Sequence, residues 1–179
     1  MPTKKVSLAT VWLDGCSGCH MSLIDLDERL IELAEFVDLV YSPLVDAKEY
    51  PAHVNVALVE GAISSTEDEH KIHVIRAQTD ILVAFGDCAV SANIPAMRNP
   101  LTVNDIMARA YVETADLQPQ FPLEVLPHLL TKVRPVHEVV PVDVYLQGCP
   151  PPADVIYYVL TELVAGRKPD LAGRTRPGL

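Results

Sequence analysis

Hydrophobic and polar positions along the chain alternate between two periods, and this predicts strands followed by helices. Short apolar runs rich in β-branched residues predict buried strands at residues 5–13, 37–41, 54–59, 81–85 and 142–146. Apolar residues at helical spacing predict four helices, at residues 21–36, at 66–78, from Thr102 onward, and at 153–165. Ser22 is the predicted N-cap of the first of these helices. Alternating strands and helices favour an α/β fold of the flavodoxin-like type, with a mainly parallel sheet and helices on both faces.

The domain organisation follows from length and from two segments with weak patterns. A chain of 179 residues is expected to form one domain, here residues 1–166. Residues 114–135 are rich in proline, and only a short helix at Leu123–Leu130 is predicted there. Residues 167–179 contain four basic residues with Gly173 and Pro177, and they are predicted to form an extended C-terminal tail.

Charge and hydropathy exclude several classes of function. The chain has 24 acidic and 14 basic residues, for a net charge of −10, which opposes nucleic-acid or anionic-membrane binding. No apolar stretch approaches the roughly 18 residues of a membrane span, and the N-terminal apolar run is too short for a signal peptide. We therefore expect a cytoplasmic protein. Its apolar fraction of 49% hints at a buried subunit interface.

The four cysteines all follow predicted strands. Cys16 and Cys19 come after the first strand, Cys88 after the strand at 81–85, and Cys149 after the last one. Because parallel strands end at one edge of a sheet, where open α/β sheets bind ligands, we expect these side chains to converge.

Three uses of such a cysteine set compete. One [4Fe–4S] cluster requires four thiolates, and nearby glycines let backbone N–H groups approach its sulfur atoms. A zinc site stays a minor alternative, since structural zinc usually draws on two paired cysteine motifs. A thiol–disulfide oxidoreductase using Cys16 and Cys19 gives Cys88 and Cys149 no role. The cluster is the favoured interpretation.

The cysteine motifs also carry a family resemblance that covers nearly the whole chain. In order, the motifs are Asp14-Gly15-Cys16-Ser17-Gly18-Cys19-His20, Glu60-Gly61-Ala62-Ile63, Gly86-Asp87-Cys88 and Gly148-Cys149-Pro150-Pro151. This series resembles that of the small subunits of [NiFe] hydrogenases. Related 20 kDa subunits of respiratory complex I look similar, but their first motif has adjacent cysteines, so the resemblance is stronger to the hydrogenases.

The resemblance implies a ligand set, a reaction and partners. It makes Cys16, Cys19, Cys88 and Cys149 the ligands of the proximal [4Fe–4S] cluster, which takes electrons from a Ni–Fe site in a separate large subunit. The sequence has no twin-arginine leader and no further cysteines after Cys149. It thus most resembles small subunits of cytoplasmic, NAD(P)-linked bidirectional hydrogenases. There a diaphorase module of iron–sulfur and flavin subunits accepts the electrons, and no catalysis is expected from the small subunit alone.

Several residue roles and alternative functions stay open. Glu60 is a candidate proton relay or support beside the cluster, while Asp14 and Asp87 are predicted to bond within their own turns. His20 is expected to be structural rather than an iron ligand. Flavodoxin-like folds bind FMN at this sheet edge, but no phosphate loop stands out, so FMN in this chain is unproven. A subunit of a complex-I-like quinone reductase with membrane partners is a further alternative.

Overall fold

A five-stranded parallel sheet forms the centre of the molecule. The computed structural model describes residues 5–122 and 124–178. The sheet comprises β1 (Val6–Trp12), β2 (Val37–Tyr41), β3 (Val54–Glu60), β5 (Thr79–Phe85) and β7 (Val144–Leu146), in the spatial order β2-β1-β3-β5-β7. Strands β4 (Ile63–Ser65) and β6 (Leu129–Arg134) form a separate antiparallel pair. The predicted α/β fold with a mainly parallel sheet is confirmed.

Helices connect the strands in sequence. They are α1 (Gly18–Ile24), α2 (Arg29–Leu33), α3 (Thr66–Ala77), α4 (Asp87–Ser91), α5 (Val103–Ala108) and α6 (Ala153–Val164). The described residues also form two 3₁₀ helices, Pro95–Arg98 and Val136–Glu138, and a π-helical turn at Arg109–Glu113. Of the helices in the described ranges, none has the length and apolar character needed to cross a bilayer.

Both faces of the sheet are covered by helices. Side chains of neighbouring strand residues point to opposite faces, so Leu58 and Val59 of β3 belong to different apolar clusters. Leu58 shares its cluster with Ile156 of α6, whereas Val59 shares the other with Ile72 of α3. Fully buried strands of this kind explain why their sequences are nearly continuous apolar runs.

The first predicted helix is wrong in its start and its length. Helix α1 begins at Gly18, and Asp27, in a left-handed conformation with φ of 50°, separates it from α2. Ser22 does not cap the helix, because it lies inside α1, and its hydroxyl donates to the Pro151 carbonyl at 2.6 Å. The early start places Cys19 in the first turn of α1, which the apolar spacing did not indicate.

The helix predicted at Leu123–Leu130 is also wrong. Leu123 lies outside the described residues, residues 124–128 form bends and loop, and Leu129 begins strand β6. Strand β6 pairs with β4, with Ser65 opposite Leu129. This long-range pairing overrides the local apolar spacing, and it also creates β4, which sequence patterns did not predict.

The strand ends are level with one another across the sheet. Trp12 is opposite Glu60, Glu60 is opposite Phe85, and Phe85 is opposite Leu146 in the parallel pairings. Each of these residues comes at or next to the end of its strand. The loops that leave β1, β3, β5 and β7 therefore emerge side by side.

Candidate metal centre

Four cysteines lie in the loops and helix starts at this sheet edge. Cys16 is in the loop after β1 and Cys19 is in the first turn of α1. Cys88 is in α4, directly after β5, and Cys149 is in the loop after β7. Cys19 is buried, Cys88 is half-buried, and Cys16 and Cys149 are exposed.

The thiols are close enough to influence one another's ionisation. Burial raises the pKa of Cys19 far above the ordinary thiol value, and the Glu60 carboxylate and the three other cysteines raise it further. Burial, followed by Cys149 and Cys16, raises the pKa of Cys88 to about 11. A thiolate is disfavoured where it is desolvated and faces other negative groups. Cys19 and Cys88 thus each lie within electrostatic range of the other cysteines.

Gly86 allows the β5 loop to approach Cys19. Its φ is +84°, and a Cβ atom there would lie 2.2 Å from the Cys19 sulfur atom. No L-residue side chain fits at that distance, so the close approach of the two loops requires glycine. Gly86 thus brings the cysteine pair after β1 next to the loop that carries Cys88.

The loop after β1 is fixed to the end of β3 by backbone pairing. Asp14 N–H donates to the Ala62 carbonyl at 3.2 Å, and Ala62 N–H donates to the Asp14 carbonyl at 2.8 Å. Gly61, with φ of +95°, lies between them, and a Cβ there would be 2.8 Å from the Asp14 carbonyl oxygen. This contact sets the direction in which the chain leaves β1 toward Cys16.

Asp87 joins the β5 loop to the β7 loop. Its buried carboxylate accepts the Gly148 N–H on Oδ1 at 2.8 Å, and its own N–H donates to the Gly148 carbonyl at 2.9 Å. Oδ2 accepts the Gly178 N–H from the tail at 2.7 Å. The prediction that Asp87 bonds within its own turn is therefore wrong, since its side chain holds the loop of Cys149 and the tail against the loop of Cys88.

Glu60 supports the start of α1 from the end of β3. The carboxylate is 1% exposed and accepts the Cys19 N–H on Oε1 at 3.3 Å and the His20 N–H on Oε2 at 3.0 Å. Oε2 also pairs with His20 Nδ1. Helix starts leave N–H groups without intrahelical partners, and here Glu60 supplies the acceptors.

His20 is buried and packs edge-on to Phe85, with ring centroids 6.3 Å apart. Its Nε2 atom has no hydrogen-bond partner within the described ranges. His20 Nδ1 is directed at Glu60, so the ring is part of the support under the cysteine loop.

Several N–H groups are directed at the cysteine sulfur atoms. Gly18 N–H donates to Cys16 Sγ at 3.4 Å, and Asn93 Nδ2 donates to Cys149 Sγ at 3.6 Å. The Ile94 backbone acts to lower the pKa of the Cys88 thiol, against the larger effect of burial. Sequence reasoning missed Asn93, although a polar side chain in the loop after Cys88 was an available signal.

The cysteine residues and the N–H groups near them have the chemistry that an iron–sulfur cluster requires. Within residues 5–122 and 124–178, no three His, Cys, Asp or Glu side chains are arranged to hold one ion together. The four thiolates of a cubane cluster bind different irons and so surround the cluster instead of meeting at one point. Thiols from three loops, a close glycine and N–H donors to sulfur suit such a group.

Comparisons with known proteins agree on a family. The family described as NADH ubiquinone oxidoreductase, 20 Kd subunit, matches residues 16–163, a range that contains all four cysteines and Glu60. The delta subunit of the NAD-reducing hydrogenase HoxS from Cupriavidus necator is 43% identical over 172 residues, which are 93% of this chain and 82% of that protein.

Two further matches are also to hydrogenases. One subunit of the F420-non-reducing hydrogenase vhu from Methanocaldococcus jannaschii is 36% identical, and the match covers 96% of this chain but only 60% of that protein. A solved structure of an NAD⁺-reducing [NiFe]-hydrogenase in the H₂-reduced state matches with a TM-score of 0.92 and 41% identity. That match covers 97% of this chain and 99% of the other.

Proposed function

The chain belongs to the family of the 20 kDa subunit of NADH ubiquinone oxidoreductase, and on that premise we propose that it is the electron-transfer small subunit of an NAD(P)-linked [NiFe] hydrogenase. In the complex, H₂ and NAD⁺ yield NADH and H⁺, with both electrons of H₂ passing through this subunit. The placement of all four cysteines at one edge of the parallel sheet is the observation that carries the proposal.

Four residues would hold the cofactor. Cys16, Cys19, Cys88 and Cys149 supply the thiolates for one [4Fe–4S] cluster, which accepts and releases one electron at a time when bound. Gly86 leaves room beside Cys19, and Asp87 keeps the loop of Cys149 in contact with that of Cys88. Glu60 orients the cysteine pair after β1. The chain's contribution is to fix the position and surroundings of the cluster.

The partners follow from the same premise. A large subunit with a Ni–Fe site supplies the electrons, and a diaphorase module with iron–sulfur and flavin groups passes them to NAD(P)⁺. We propose that the complex is cytoplasmic, with residues 1–166 as one iron–sulfur domain and residues 167–179 as a tail. Similarity to the delta subunit of an NAD-reducing hydrogenase supports this assignment. It favours the hydrogenase over a stand-alone thiol–disulfide oxidoreductase.

A complex-I-like quinone reductase is the second candidate, because the family takes its description from a subunit of NADH ubiquinone oxidoreductase. The first cysteine motif argues against it, since Cys16 and Cys19 are separated by two residues instead of being adjacent. The two candidates predict different partners, one with nickel and one in the membrane.

Native purification tests the proposal. The affinity-tagged chain, expressed with its natural partners and purified without oxygen, should retain a nickel-containing subunit and catalyse H₂-dependent reduction of NAD⁺ or NADP⁺. A Cys149→Ser complex should retain nickel and H₂/D₂ exchange, which needs only the Ni–Fe site, but lose nucleotide reduction. A Thr131→Ser complex, changed at an exposed position in β6, serves as the control. A membrane complex without nickel, or full nucleotide reduction by Cys149→Ser, would contradict the proposal.

A further inference from the structure

A left-handed turn follows α4 and faces two of the cysteine loops. Ala92 has φ of 60° and Asn93 has φ of 22°, so two consecutive non-glycine residues have positive φ. Such backbone conformations are strained for residues other than glycine and persist where surrounding contacts impose them. Here the Ala92 side chain is buried, Ala92 N–H donates to the Cys88 carbonyl, and Ala96 N–H donates to the Ala92 carbonyl. The turn is thus held in place from both sides.

The turn directs the Asn93 side-chain amide at a cysteine sulfur atom in another loop. Asn93 Nδ2 is 3.6 Å from Cys149 Sγ, across 56 residues of sequence. Asn tolerates positive φ better than most residues, and its amide also provides the donor. Asn93 therefore both adopts the positive φ of the turn and supplies the donor to the Cys149 sulfur.

We propose that Asn93 is a positioning residue that raises the reduction potential of the cluster by donating a hydrogen bond to the sulfur of Cys149. This inference rests on the proposed function, since it requires a cluster at the four cysteines. A reduced cluster carries more negative charge on its sulfur atoms, so an N–H donor stabilises the reduced form more than the oxidised form. Removing the donor lowers the potential.

The side chain can be varied while the backbone stays compatible. Asn93→Gly removes the amide and still permits positive φ, so it isolates the hydrogen bond from the turn. Asn93→Asp keeps the size and replaces the donor with a negative charge. Asn104→Ala is the matched control, because Asn104 is exposed in α5 and makes no hydrogen bond to a sulfur atom within the described residues.

The test is a redox titration followed by electron paramagnetic resonance, performed on the anaerobically purified complex of this chain with its large subunit. Asn93→Gly should shift the midpoint of the cluster to lower potential, Asn93→Asp should shift it further in the same direction, and Asn104→Ala should leave it unchanged. Each tenfold change in the equilibrium constant for one-electron reduction corresponds to about 59 mV.

A second measurement addresses the contact directly. With ¹⁵N-labelled asparagine, pulsed electron paramagnetic resonance should detect a weak nitrogen coupling to the reduced cluster that is absent in Asn93→Gly. An unchanged midpoint in both Asn93 variants, with the cluster signal intact, would overturn this inference and leave the proposed function standing. A wild-type complex without any [4Fe–4S] signal from this chain would overturn both.

Discussion

Glu60 Oε2 accepts the main-chain N–H of His20 at 3.0 Å, which joins the end of β3 to the first turn of α1. The two residues are 40 positions apart in sequence and both are nearly fully buried. The same carboxylate accepts the N–H of Cys19. A charged group is rarely buried unless its lone pairs are used, and here they hold the segment that carries two of the four cysteines.

Replacing Glu60 should release that segment. Glu60→Ala leaves the buried N–H groups of Cys19 and His20 without acceptors, and each such loss costs about 1–3 kcal/mol. Denaturant unfolding should show this decrease in the free energy of unfolding, together with reduced iron content. Glu60→Gln, whose amide oxygen still accepts one N–H, should be less affected. Glu49→Gln changes an exposed carboxylate and should have the wild-type free energy of unfolding and iron content. An equal loss of stability and iron in the Glu49 and Glu60 variants would argue against the role of Glu60.

Gly86→Ala should prevent the close approach of the β1 and β5 loops. The added Cβ meets the Cys19 sulfur, and the Gly86 backbone, with φ of +84° and ψ of 165°, is in a region that essentially only glycine adopts. We expect the variant to lose bound iron when purified anaerobically. Gly166→Ala is a matched control, because Gly166 has φ of +73° and a Cβ there meets nothing within 4 Å. If both variants lose iron equally, backbone strain alone accounts for the result.

Asp87 provides a separate test of loop assembly. In Asp87→Ala, the Gly148 N–H loses its buried acceptor, which should detach the loop of Cys149 from that of Cys88. A chelator should then remove iron faster from Asp87→Ala than from the wild type. Asp87→Asn retains an oxygen acceptor for Gly148, so its rate of iron removal should lie between those of the wild type and Asp87→Ala. Chelation of Asp87→Ala at the wild-type rate would show that other contacts hold the Cys149 loop.

The alkaline stability of the fold should depend on Tyr50. Burial raises the pKa of this phenol to about 12, although hydrogen bonding to Thr79 and the charge of Arg76 act in the opposite direction. Between pH 10 and about 12 the unfolded state loses this proton and the native state keeps it, so the free energy of unfolding decreases as pH rises. Tyr50→Phe should weaken that decrease in denaturant titrations at several pH values. An identical pH dependence in both proteins would contradict the assignment.

The sequence was sufficient for the sheet and for the cysteine edge because both depend on local patterns. Buried parallel strands appear as apolar runs, and each cysteine follows such a run directly, so parallel topology alone brings Cys88 and Cys149 to one edge. The length and β-branched content of these runs separate them from helices.

What the sequence could not predict depends on contacts between distant segments. Strand β4 is three residues long and exists through pairing with β6. The start of α1 at Gly18 relies on acceptors from Glu60, and the bridging role of Asp87 depends on Gly148, 61 residues away. Asn93 was missed for the same reason, since its partner Cys149 lies in another loop. Local periodicity contains no signal for such pairs.

Iron and acid-labile sulfide determination, combined with electron paramagnetic resonance, tests the central claim most directly. The sample is the anaerobic complex of this chain with the proposed large subunit, compared with single Cys→Ser variants at positions 16, 19, 88 and 149. We expect about four irons and four sulfides for the cluster of this chain, with a reduced [4Fe–4S] signal that is lost or altered in each variant. One equivalent of zinc without sulfide, or an unchanged signal in all four variants, would contradict it.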